Sequence, residues 1–212
     1  MEHIGKYLRL VTAPTVEPVT AAEVRLHTRI DSSAEDAVLN VWIATARRLA
    51  EDFQRRAYIT QTWECGFDAF PASMFWLPRC PLRQVLQISY FDVDNDETIL
   101  YYTHLNDETT STTPEPDPSV GTDDFWIDLY AEPGRVSLAY ETTWPTATLR
   151  PIDAVRVRYV AGYGATSATV PAAVRDAIML YCAWRYENRT AEAGEAPEQF
   201  YNLLNPERIC WP

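Results

Sequence analysis

Apolar residues in the first quarter of the chain recur at helical spacing. Thr20 followed by Glu23 makes a capping box, in which hydroxyl and carboxylate each satisfy an orphan backbone donor, and a short helix over about 20–30 is expected after it. Asp31, Ser32 and Ser33 interrupt the pattern. Val38, Val41, Trp42, Thr45, Leu49 and Phe53 then recur at three- and four-residue steps to about Arg56. That spacing predicts a longer amphipathic helix, with Arg47, Arg48, Glu51 and Arg55 on its wetter side.

From Thr60 the period shortens. The stretches Thr60–Phe70, Val85–Phe91, Thr98–Thr103, Phe125–Tyr130, Arg135–Tyr140 and Ala154–Tyr159 are short, rich in aromatic and β-branched residues, and separated by Pro, Asp and Thr. They predict an antiparallel β-rich middle over about 60–160. Within Gln84–Tyr90, strict alternation would put Val85, Gln87 and Ser89 on one face and Leu86, Ile88 and Tyr90 on the other, an imperfect split. The Asp92–Asp96 segment supplies the turn to the next strand.

Residues 106–124 have almost no apolar content and predict an exposed, mobile acidic loop, because they cannot bury enough surface to offset the entropy of ordering. Pro171 suits the first turn of a helix, where its missing N–H has no partner to lose, and Val174, Ala177, Ile178, Tyr181, Cys182 and Arg185 trace one face to about Asn188. The last stretch is small and polar, then apolar. Together these elements give an α+β class: a helical bundle made of N-terminal helices plus a C-terminal helix, with an antiparallel β-rich insertion and an extended C-terminal tail. The expected divisions are an N-terminal helical segment over 1–59, the insertion over 60–165, the closing helix over 166–190 and a tail or docking segment over 191–212.

A chain of 212 residues, 47% hydrophobic and 12% aromatic, can bury one good core or one core and a satellite. A net charge of -12 and a pI near 4.6 repel phosphate backbones rather than collect them. No apolar run reaches membrane-spanning or signal-peptide length, which predicts a soluble protein made in a cytoplasm. Cys65, Cys80, Cys182 and Cys210 lie far apart without the pairs a zinc site or redox dithiol needs, and read most simply as small buried apolar residues.

The chemical signatures are thin. Asp92, Asp94 and Asp96 have the spacing of the first ligands of a calcium loop, but the sixth position is Glu97 rather than glycine and the twelfth is Thr103 rather than glutamate, which favours a hairpin turn. Gly162 and Gly164 are not followed by the third glycine or the Gly-Lys-Ser/Thr of a phosphate cradle. His3, His27 and His104 stand singly, and no nucleophile elbow occurs. No enzyme activity, metal or cofactor is expected; a carboxylate hydrolase built from Asp92, Asp94, Asp123 and Asp124 is the enzymatic alternative. Arg47, Arg48, Arg55, Arg56, Arg185 and Arg189 form the basic clusters, either as solvated helix faces or as partners of acidic surfaces on a neighbouring copy or another protein. Phe200, Tyr201, Leu203, Leu204, Ile209 and Trp211 need cover, either by folding back on their own chain or by insertion into a partner.

The ordered series LPRCPLRQVLQISYFD, Trp144–Pro145, AVRVRYVAGYG, VPAAVRDAIMLYCAWRYENR and LLNPERICW resembles the small head-tail connector (adaptor) family of tailed phages, prophages and gene-transfer agents, over most of residues 8–212. The long acidic loop at 106–124 departs from that pattern. The resemblance implies a structural virion protein at the head-tail interface, assembled in the host cytoplasm as a homo-oligomeric ring of about twelve copies between a portal protein and a stopper or tail-completion protein. Genome DNA would pass through such a ring without sequence-specific binding, and no membrane would be involved. It further implies that a tail at about 197–212 engages the portal, while the arginines serve subunit or portal contacts. A DNA-packaging accessory or nucleic-acid-binding protein is the alternative, but it would need a basic stripe with interleaved aromatics.

Overall fold

The capping box closes as the sequence requires. In the computed structural model, which describes residues 7–72, 74–102, 124–190 and 195–210, the Thr20 hydroxyl accepts from the Glu23 amide, and the Glu23 carboxylate accepts from the Thr20 amide at 2.7 Å. These bonds open α1 (Ala21–Thr28). Helix α2 (Asp36–Gln54) follows, and an ion pair of 3.0 Å between Arg25 and Asp36 ties its first turn to α1.

The buried side of α2 is not the one the spacing suggests. Leu39, Ile43, Ala46, Ala50, Glu51 and Gln54 face the core, while Val38, Val41 and Thr45 are exposed and Trp42, Leu49 and Phe53 are half-buried. Two adjacent stripes of α2 satisfy the three- and four-residue rule. The stripe containing Ala46 and Ala50 goes inside, sharing one core with Val174, Ala177, Ile178, Tyr181 and Cys182 of α3 (Ala172–Glu187). Pro171 stands just before α3 rather than within its first turn. A fourth helix, α4 (Glu198–Leu204), adds Phe200 and Leu204 to the same core.

The strands are β1 (Tyr7–Thr12), β2 (Gln61–Phe67), β3 (Met74–Leu77), β4 (Leu82–Phe91), β5 (Glu97–Tyr102), β6 (Phe125–Asp128), β7 (Gly134–Leu138) and β8 (Val155–Ala161). They form a five-stranded sheet in the order β1-β2-β8-β4-β5 and a three-stranded sheet in the order β3-β7-β6, with every pairing between named strands antiparallel. Strands β1 and β3 were not foreseen. The imperfect alternation in β4 has a local cause: a bulge between Val85 and Gln87 sets Val85 against Tyr159 and Ile88 against Val157, both on the core face, and leaves Gln87 opposite Arg158. The two sheets meet through Phe67 and Phe75, whose ring centres are 4.7 Å apart. Trp144, stacked on Phe70 at 4.9 Å and donating its indole N–H to the Pro71 carbonyl, fixes the Trp-Pro loop onto this core. The turn after β4 uses its aspartate internally, since one Asp92 carboxylate oxygen accepts from the amides of both Asp94 and Asp96.

Two compact units result. The sheet unit takes the described residues within 1–13 and 61–161, and the helical unit those within 14–60 and 162–212. The chain therefore crosses between units after Ala13, after Thr60 and after Ala161. Gly162 opens the last crossing with φ +132°, and a Cβ there would stand 2.6 Å from the Ile59 carbonyl oxygen, so only glycine fits. No described helix is long and apolar enough to cross a membrane. The 106–124 loop lies outside the described residues except for Asp124.

Candidate functional site

The arginine clusters separate into internal and free groups. Arg47 is held inside the helical unit: its Nε donates to Glu17 at 2.7 Å and its Nη1 to the buried Glu51 at 2.8 Å. Burial works against its charge, but the hydrogen bond to Glu17 and the charges of Glu51 and Glu17 outweigh it, so the guanidinium stays protonated above its ordinary range. Arg56 is buried and donates to the Glu207 carbonyl at 2.8 Å. Arg189 pairs with Glu35 at 2.7 Å and lies over the Tyr186 ring, and Arg185 is half-buried in the last turn of α3. Arg48 and Arg55 are the two exposed members of the α2 set, and neither side chain makes an ion pair or hydrogen bond among the described residues.

The apolar tail folds back. Phe200, Leu204 and Ile209 are buried in the helical unit and Tyr201 and Leu203 half-buried, while Trp211 lies outside the described residues. In place of an extended tail there is α4 and a strap after it. Gln54 donates its side-chain amide to the Leu204 carbonyl at 2.5 Å, the Ile209 amide donates to the Gln54 carbonyl at 3.1 Å, and the Tyr163 hydroxyl donates to Glu207 at 3.3 Å. Tyr181 packs its ring on Phe200 at 5.6 Å, so the aromatic residues of 200–201 complete a core that α2 and α3 leave open.

The outer face of the five-stranded sheet is polar. Glu64, with its side chain 3% exposed, accepts from Arg9 at 2.7 Å and from Arg158 at 2.8 Å, and the Tyr7 hydroxyl donates to it at 3.3 Å. Tyr7 lies across Gly66, where a Cβ would meet its ring at 1.9 Å. A cavity of about 140 Å³ lies here, lined by Glu64, Gln87, Ser89, Glu97, Arg156 and Arg158. Its charges cancel, and no group of His, Cys, Asp or Glu among the described residues is arranged to hold a metal ion. Burial opposes ionisation of Glu64, but the Arg158 hydrogen bond and the Arg9 and Arg158 charges prevail, which puts its carboxyl below the ordinary 4.5. A depressed folded value means stability that is full above the unfolded value and lost as pH falls through the folded one. The sheet unit should therefore weaken below about pH 4.5. Glu64→Gln should remove about 2 kcal/mol at neutral pH and flatten that acid limb, as read by urea titration at several pH values.

Cys65, Cys80 and Cys182 are buried, burial pushing the Cys182 thiol up to about 12, whereas Cys210 is exposed. His3, His104 and Asp123 lie outside the described residues. Sequence reasoning missed the exposed Trp126, Tyr130 and Tyr140 around β6 and β7. Strand alternation could have put Trp126 opposite Phe125, but could not say which face is covered.

Solved structures of gene transfer agent particles contain chains with this fold. Chains in the neck of an empty GTA particle computed with C6 symmetry (TM-score 0.72, 22% identity, 97% of each chain), in the virion of a native gene transfer agent (GTA) particle (0.73, 22%, 97% of this chain and 96% of that one) and in the neck of a native GTA particle computed with C12 symmetry (0.71, 21%, 97% of each) align over almost their full length. No family model matches the chain, and no curated protein does.

Proposed function

We propose that this chain is a structural neck subunit of a phage-like particle: an adaptor, about twelve copies of which form a ring between the portal and the stopper or tail. One observation carries the reading. The fold likeness spans 97% of the chain and leads to necks of gene transfer agent particles, one of them computed with C12 symmetry. The ordered motif series resembles connectors of the same class of particle.

The electrostatics suit such a ring. A net charge of -12 per copy would surround a DNA channel with negative potential, so phosphates slide past without adhering. The portal contact is assigned to the tail, with Trp211 as its anchor, since Phe200, Leu204 and Ile209 are engaged internally.

The test is electron microscopy of this chain mixed with portal rings of the same particle. Full-length protein should add a ring of density to the portal. A chain ending at Ile209, which keeps its core, should lose that density; equal decoration by both forms would reject the tail assignment, and no decoration by the full chain would reject the adaptor reading.

A further inference from the structure

Two surfaces described above have no occupant among the described residues of their own unit, and they complement each other. The first is the hairpin β6–β7 in the sheet unit. Trp126 is 69% exposed, Tyr130 97% and Tyr140 87%, and the acids Asp124 and Glu141 flank Trp126 and Tyr140. Among the described residues strand β6 is an edge of its sheet, open to a partner. The second is the outer stripe of α2 in the helical unit. Val38 and Val41 (63% exposed) head it, Thr45 continues it and Arg48 shares the face of Val41 seven residues on, while the exposed Arg55 caps the end of the helix just beyond.

We propose that neighbouring copies in the ring join with the β6–β7 hairpin of one copy seated on the outer stripe of α2 of the next. The proposal rests on the ring reading above and names its interface. Trp and Tyr side chains are the usual anchors of such contacts, and aliphatic side chains at the head of the α2 stripe offer them an apolar bed. The free guanidinium groups of Arg48 and Arg55 meet the carboxylates of Asp124 and Glu141, and can also lie on the aromatic rings. Asp52 lies between the two arginines in sequence and has a contact of its own. The acids around the aromatic residues disfavour nucleic acid as the occupant. Because the two surfaces differ, the contact is head-to-tail: repeated by rotation it closes a ring, whereas a self-complementary patch would stop at a dimer.

Charge reversal tests this directly. One variant carries Asp124→Arg and Glu141→Arg; the other carries Arg48→Glu and Arg55→Glu. All four positions are exposed, so melting curves should match the wild type. Each variant alone should reduce the fraction of portal rings decorated with a complete ring at least tenfold, because its hairpin and its α2 then carry like charges. Mixed in equal amounts the two should restore rings, since each hairpin now finds an α2 of opposite sign on the other variant, and an even-numbered ring can alternate them. Trp126→Ser should lower decoration without lowering the melting temperature. Rings that form at wild-type abundance from either reversed variant, or variants that fail alone and are not restored by mixing, would overturn this interface while leaving the ring reading intact. Absence of rings from the wild type would overturn both.

Discussion

Phe200→Ala will destabilise the helical unit by about 4 kcal/mol, the middle of the range for truncating a buried aromatic ring. Phe200 is fully buried and its ring packs against Tyr181 and Tyr201, so its removal leaves a cavity in the middle of a core that α2 and α3 cannot close by themselves. Leu203→Ala, at a half-buried position on the same short helix, should have less than about a third of that effect. Urea unfolding followed by far-ultraviolet circular dichroism, which is dominated by the helices, measures both. If Phe200 served only to dock on a partner, the alanine variant of the free chain would unfold like the wild type.

The second large effect belongs to Glu51. Its carboxylate is 5% exposed as a residue, accepts from Arg47 at 2.8 Å and takes the amide of Tyr58 at 3.0 Å, just past the end of α2. Glu51→Ala strips Arg47 of one of its two counter-charges and leaves a buried N–H unpaired, a loss of about 3 kcal/mol. Glu51→Gln keeps an acceptor for the Tyr58 amide and should lose roughly half as much. An alanine variant within about 0.5 kcal/mol of wild type would mean that water or a rearranged side chain replaces both bonds.

What the residues disclosed follows from the range of the interactions behind each feature. The Thr20–Glu23 box, α3 and six of the eight described strands rest on local chemistry, and local pattern located them. Among the described residues strand β1 pairs only with β2, about 55 residues away, and β3 has four residues hemmed by prolines, so neither carries much of a signal in its own neighbourhood. The inner face of α2 was misread because alanines count little in a hydrophobic pattern, yet Ala46 and Ala50 belong to the core that α2 shares with α3. The bulge in β4 is decided by its pairing with β8. For the candidate surfaces, composition gave the arginines and the aromatic tail, but only three-dimensional packing tells that Arg47 and Phe200 are internal while Arg48, Arg55, Trp126 and Tyr140 are not.

The three crossings between units also set a timetable for synthesis. When Thr60 leaves the ribosome, α1 and α2 are complete but the residues that cover Leu39, Ile43 and Ala46 are still unmade, because α3 and α4 follow the whole of the 61–161 segment. At about 5–20 residues per second, the roughly 100 intervening residues keep that apolar face waiting for about 5–20 seconds. The sheet unit can close in the interval, since β8 is its last strand. The helical unit cannot close until Leu204 and Ile209 have emerged, so it is completed after the sheet unit. Nascent copies would hold their helices open to chaperones until then, and a ribosome stalled anywhere before α3 would display an uncovered core rather than half a protein.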